Sequence, residues 1–134
     1  KMKHLSDNFI VEQMIDKVVA ELLVGITRDP DFGLVLVLGS GGVLVELIRE
    51  TKTLLLPVTR NEIVDAINGL RVKSILSGYR GGARGDIGST VDVIMAVAEY
   101  AYVNRESLWT LDINPLAVLE DGAMGVDALI CVSQ

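Results

Sequence analysis

The chain has 134 residues, half of them apolar, with a net charge of −6 and a single cysteine; its mean hydropathy is +0.44 and its pI near 4.7. That length is one domain's worth and can bury a core, while the acidity and an aromatic content of only 4% exclude a broad nucleic-acid surface, which needs a basic field. No Lys/Arg run marks a membrane surface, and the longest uncharged run, Phe32–Val45, has 14 residues and four glycines, short of the roughly 20 a membrane helix needs.

Nothing at the N-terminus resembles a secretion leader and Cys131 has no partner for an internal disulfide, so a cytoplasmic setting is expected, with Cys131 as a small buried hydrophobe. The apolar excess implies a surface that meets another domain or chain; a homo-oligomer falls within that expectation.

In chain order, Asn8–Ile15 reads as a strand and Val18–Thr27 as a second, ended by the turn signal Arg28-Asp29-Pro30-Asp31-Phe32-Gly33. Leu34–Leu38 is a continuous apolar run of strand length, expected to be buried on both faces. After Gly39-Ser40-Gly41-Gly42 come two more strands, Val43–Arg49 and Lys52–Leu56. Val43–Ile48 also fits a helical period, but its β-branched content and the preceding glycines favour strand. Thr59 with Glu62 three residues on is a capping box for a helix carrying Ile63, Val64, Ile67 and Leu70. A short helical piece over Val72–Leu76 is stopped by Gly78, and Gly78–Gly85, with four glycines and two arginines, reads as an exposed loop. Ser89 or Thr90 opens the longest helix, with Val91, Ile94, Met95, Ala98 and Tyr102 on one stripe.

The last segment carries the chemistry. Asp121-Gly122 between alternating apolar residues predicts a two-residue hairpin turn, which pairs Leu119 with Met124 and Ala117 with Val126 and sets Asp127 diagonally across from Asn114. Alternation then places Ile113, Pro115, Ala117, Leu119, Met124, Val126, Ala128 and Ile130 on one apolar layer and Asp112, Asn114 and Asp127 on the other face. Either that face is simply solvated, the ordinary pattern of an antiparallel strand, or its oxygens converge on a hard cation such as Mg²⁺; the crowding of acids without a nearby cation in the strands counts against simple solvation. Strands, then helices, then strands give an α+β fold, mainly antiparallel, with helices packed on one face. His4, the one histidine, lies by a terminus, which leaves no base for a catalytic triad, no zinc set and no on-chain phosphohistidine. Ser40 is not in a nucleophile elbow, and Cys131 lacks a basic neighbour in sequence.

Taken together, Phe9–Ile15, Ile26-Thr-Arg-Asp-Pro-Asp-Phe-Gly33, Gly39-Ser-Gly-Gly42, Gly78-Tyr-Arg-Gly81 and Leu111-Asp-Ile-Asn-Pro-Leu116 resemble, in that order, the ATP-grasp part of NDP-forming acyl-CoA synthetases (acetate–CoA ligases, ADP-forming), which are similar to the succinyl-CoA synthetase beta chain. The resemblance spans residues 8–132, as the second, C-terminal ATP-grasp subdomain, with 1–7 a leading segment. It implies a ligase that makes acyl-CoA, ADP and phosphate from a carboxylate, CoA and ATP, through an acyl phosphate and a phosphorylated histidine on other domains. The first subdomain and the CoA-binding domains are expected elsewhere, so the fragment alone should be inactive. The resemblance implies Asn114 and Asp127 as ligands of Mg²⁺ or Mn²⁺, Asp112 as the catalytic acidic residue near the travelling phosphate, and Glu12, Gln13, Met14 and Ile15 as the hinge that holds adenine and ribose. Glu21 is similar to the acidic residue that follows the hinge, with a solvated strand position as the alternative. Gly39, Gly41 and Gly42 either form a tight turn or let backbone N–H groups approach phosphate; they do not match the dinucleotide-binding spacing, because Leu44 stands where its last glycine would be. Arg28 and Arg80 are the local cations that a nucleotide or CoA wants, a solvated role being the alternative. The rival reading is a non-catalytic regulatory or interaction domain of the same fold fused to an acetyltransferase.

Overall fold

The computed structural model describes residues 9–42 and 50–133; the expected strand Val43–Arg49, with Asn8 and His4, lies outside them. Ten elements follow in order: β1 (Ala20–Asp29), β2 (Gly33–Ser40), β3 (Thr51–Leu55), α1 (Arg60–Asn68), α2 (Lys73–Leu76), a 3₁₀ turn (Tyr79–Gly81), α3 (Ile87–Val103), β4 (Leu108–Val118), β5 (Ala123–Gly125) and β6 (Ala128–Val132). The strands form one sheet in the order β3-β2-β1-β4-β5, with β6 also on β4. Every pairing is antiparallel.

Alternation decides which face is covered. On β1, Leu22, Val24 and Ile26 are buried, and they share a core with Leu34, Leu36 and Leu38 of β2, Ile63 and Ile67 of α1, and Val91, Ile94, Ala98 and Ala101 of α3. All three strand residues of each set have one parity, so the helices lie on one face. Burying each large side chain there stabilises the fold by roughly 1.5–3 kcal/mol. The other face carries Glu21, Leu23, Gly25 and Thr27 on β1 and has no helical layer among the described residues.

Local signals hold the elements at their ends. The β1–β2 turn closes because the Asp29 carboxylate accepts from the Asp31 and Phe32 backbone N–H groups at 2.9 and 3.1 Å, and Gly33 takes φ +76°. Thr59 and Glu62 form the expected capping box on α1. The Thr59 hydroxyl and backbone N–H, both donating to the Glu62 carboxylate, hold it below its ordinary pKa. β2 is buried on both faces at Val35 and Leu36, as its unbroken apolar run requires.

Several expectations need correction. Residues 9–15 form no strand, having no strand partner among the described residues; pairing with the sheet begins only at Val19, whose N–H donates to Val118 O at 2.8 Å. The longest helix starts at Ile87, ahead of Ser89, because Asp86 rather than Ser89 or Thr90 is the N-cap. The hairpin turns at Glu120-Asp121, with Leu119 N–H donating to Gly122 O at 3.0 Å and Gly122 at φ +108°; glycine serves the position after the turn. Ala117 therefore pairs with Met124.

A further correction is a β-bulge. Against β1, Leu22 faces Leu116 whereas Val24 faces Ile113, so β4 carries one more residue than β1 over that stretch. Leu111 and Ile113 pack on the helical side before the bulge, Leu116 and Val118 after it. Ala117, opposite Glu21, and its partner Met124 leave the expected apolar layer for the open face. Cys131 is half-buried, because β6 lies at the sheet's edge, where Leu129, Ile130 and Val132 are also exposed. Among the described residues no helix is long and apolar enough to cross a membrane.

Candidate functional site

The open face of the sheet is organised around β4. Asp112 stands opposite Gly25 of β1 and Leu129 of β6, and its carboxylate oxygen lies 3.6 Å from where a Gly25 Cβ would be, which places its side chain on the open face. Asn114 N–H donates to Asp127 O at 3.1 Å and Val126 N–H to Pro115 O at 3.0 Å, so the count runs unbroken from the β4–β5 ladder to the β4–β6 ladder. Asn114 and Asp127 are thus directly opposite rather than diagonal, closer than the sequence pattern predicts. Asp112 and Asn114 are half-buried and Asp127 is exposed. Among the described residues none of the three is in an ion pair, and no group of three or more His, Cys, Asp or Glu side chains converges.

The segment before β1 closes one side of this region. Glu12, Gln13 and Ile15 line a cavity of about 410 Å³ together with Met124, Gly125, Val126 and Asp127. Met14 is 81% exposed and does not line that cavity. The structure therefore brings three of the four hinge candidates to one of the two metal-ligand candidates. The sequence pattern had not marked Met124 and Val126; their place follows from the hairpin register.

The remaining candidates divide between the two ends of the sheet. Glu21 at the start of β1, Gly39 at the end of β2, and Gly41 and Gly42 just beyond share one end: Gly41 N–H donates to Glu21 O at 2.7 Å, and Leu22 and Leu23 pair with Ser40 and Gly39. The loop carrying Arg80 is at that end too, since Tyr79 and Gly82 line a cavity of about 480 Å³ with Val18, Val19 and Glu120. Arg80 itself is exposed, with its guanidinium 5.3 Å from the Tyr79 ring centre. Arg28 is at the opposite end of β1, roughly 23 Å along the strand from Glu21 at 3.3 Å per residue. It donates to Leu108 O at 2.9 Å and to Arg105 O, and lies 5.9 Å from the Trp109 ring centre. The structure does not bring Arg28 to the other candidates.

One residue with a structural role at the site escaped sequence reasoning. Asp86 caps α3 by accepting from Ser89 N–H at 3.0 Å and Ser89 Oγ at 2.7 Å, and the same carboxylate accepts from Gly122 N–H at 3.0 Å. Asp86 N–H in turn donates to Leu119 O at 2.8 Å. The β4–β5 turn is thereby fastened to the helix. The Ser89 backbone N–H first, then the Ser89 hydroxyl and Gly122 N–H, hold the Asp86 carboxyl below its ordinary pKa against the opposing effect of burial. The signal was the Asp-x-x-Ser spacing, overlooked beside the more conspicuous Ser89-Thr90 pair.

A six-stranded antiparallel sheet with helices on one face is an α+β arrangement of the kind found in ATP-grasp subdomains. The family described as ATP-grasp domain matches residues 2–132, and the chain belongs to it. It is 37% identical over 114 residues to an ADP-forming acetate–CoA ligase II of Archaeoglobus fulgidus, covering 85% of this chain and 16% of that one. To the beta subunit of an ADP-forming acetate–CoA ligase I of Pyrococcus furiosus it is 34% identical over 108 residues, covering 81% and 46%. Among solved structures it is similar to an acetyl-coenzyme A synthetase 1 of Candidatus Korarchaeum cryptofilum in complex with coenzyme A and Mg-AMPPCP, with TM-score 0.79, 31% identity, and coverage of 85% of this chain and 53% of that one. The chain thus spans between about a sixth and about a half of the length of these relatives.

Proposed function

We propose that this chain forms one wall, the second ATP-grasp subdomain, of the nucleotide and metal site of an NDP-forming acyl-CoA synthetase, which joins a carboxylate to CoA with ATP and releases ADP and phosphate. The relatives' larger size supports placing the other wall, the CoA site and the phosphorylated histidine in further parts of the enzyme. The observation that carries the reading is the direct opposition of Asn114 and Asp127 on a face where, among the described residues, no cation pairs with either.

The donor set fits magnesium. Mg²⁺ is a hard ion, commonly held by one or two protein oxygens with water and substrate phosphates completing the shell rather than by an all-protein cage. The Asn114 carboxamide oxygen and the Asp127 carboxylate would supply those two positions, for Mg²⁺ or Mn²⁺. When bound, the ion supplies positive charge against the phosphates of ATP during phosphoryl transfer.

The chain's own residues do the positioning. Glu12, Gln13 and Ile15 offer backbone and side-chain polar groups to the base and sugar, while Met124 and Val126 offer apolar surface on the opposite side of the same cavity. Asp112, on the same face as Asn114, stands beside the path of the transferred phosphoryl group. Replacing Asp127 with Ala in the intact enzyme should lower ATP-dependent acyl-CoA formation on the order of 100-fold or more, since even groups that only support metal ligands cost 10–100-fold. Undiminished activity at saturating Mg²⁺ rejects the reading.

A further inference from the structure

The glycines after β2 were expected either to form a tight turn or to bring backbone N–H groups to phosphate. At Gly41 the N–H group is already committed to Glu21 O at 2.7 Å, and a Cβ there would fall 2.6 Å from the Leu22 carbonyl carbon, a distance no side chain tolerates. The backbone after β2 is therefore pressed flat against β1. Gly42 comes next, at φ +60°, and the space its Cβ would fill is taken: the Glu21 carboxylate oxygen Oε2 lies 1.6 Å from that point and Cδ 2.8 Å. Any residue other than glycine at this position must push the carboxylate away.

Glu21 lies on the open face, across from Ala117, half-buried and, among the described residues, without an ion-pair partner. A free glutamate side chain samples many rotamers, and ordering it costs entropy. Here the missing side chain of Gly42 provides the room in which the carboxylate sits. We infer that Gly42 is a positioning residue for Glu21, holding its carboxylate on the open face one strand pair away from Met124 of the proposed nucleotide cavity, since Glu21 faces Ala117 and Ala117 faces Met124; the inference rests on the proposed nucleotide site for its consequence, though not for the packing itself.

The test is a double-mutant cycle in the intact enzyme, with kinetics and thermal melting on the same four proteins. Strain from the left-handed backbone acts equally with and without the Glu21 carboxylate, so the cycle cancels it. Gly42→Ala should raise the nucleotide KM about tenfold, the scale of one lost hydrogen bond, with kcat nearly unchanged. Glu21→Ala should do the same, and the double variant should be no worse than Glu21→Ala alone. In the Gly42→Ala background, Glu21→Asp, shorter by one methylene, should recover part of the loss. Single effects that multiply to about a hundredfold overturn the inference, as does a Gly42→Ala melting loss of equal size in both backgrounds. Coupled melting with KM unmoved in every variant keeps the packing and instead removes Glu21 from the nucleotide site.

Discussion

The two faces of the sheet are built to different rules. The helical face is apolar and closed, with α1 and α3 laid over Leu22, Val24, Ile26, Leu36 and Leu38 and fastened by the Thr59 and Asp86 caps. The open face has Asp112, Asn114, Asp127 and Glu21, glycines where backbones press together, and acids that no described cation neutralises. One face holds the molecule together; the other carries acids without an ion-pair partner among the described residues. Substitutions should sort accordingly, with the first set moving stability and the second moving chemistry.

The strongest challenge to that division is Ile94→Ala. Ile94 is fully buried beneath the sheet, so its truncation should cost about 2–5 kcal/mol through lost transfer energy and a residual cavity, read by denaturant or thermal unfolding. The nucleotide KM of the fraction still folded should stay put; a change there would mean that the faces are coupled. Asp86→Ala should come next, since it frees both the first turn of α3 and the β4–β5 turn. Because the folded Asp86 pKa is lowered from 3.8, its contribution is present above that ordinary value and is lost as pH falls through the lower folded pKa. Melting followed from pH 7 to pH 2 should therefore show a wild-type acid limb that is flatter in Asp86→Ala. Arg28→Ala should have the smallest effect, about 1 kcal/mol for its bonds to the Leu108 and Arg105 carbonyls, with nucleotide kinetics unchanged; a large rise in KM would return Arg28 to the site despite its place at the far end of β1.

Much of this was legible in the residues. The Asp29-to-Gly33 turn, the capping box at Thr59 and the helical stripe through Val91, Ile94 and Ala98 are local patterns whose physics is contained in a few neighbouring residues, and the ATP-grasp resemblance was carried by five motifs in register. The α+β class followed from the order of such elements. What misled was non-local. Residues 9–15 have strand composition, but a strand needs a neighbour. The Asp121-Gly122 signal is a good turn signal, yet the turn sits one residue earlier because Gly122 answers to the ladder and to Asp86 as well as to its own dipeptide. The bulge between Ile113 and Leu116 is visible only against β1, and it is what moves Ala117 and Met124 to the open face. The sequence therefore named candidates on the open face but not their register, and the register is what sets Asn114 against Asp127.

The most direct measurement is a crystal structure of the intact enzyme with Mn²⁺ and a non-hydrolysable ATP analogue, with the metal located by its anomalous scattering. The account predicts a Mn²⁺ peak about 2.1 Å from both the Asn114 carboxamide oxygen and an Asp127 carboxylate oxygen, with phosphate oxygens completing its shell. A nucleotide-bound metal seated on other residues, with Asn114 and Asp127 turned to solvent, would contradict it.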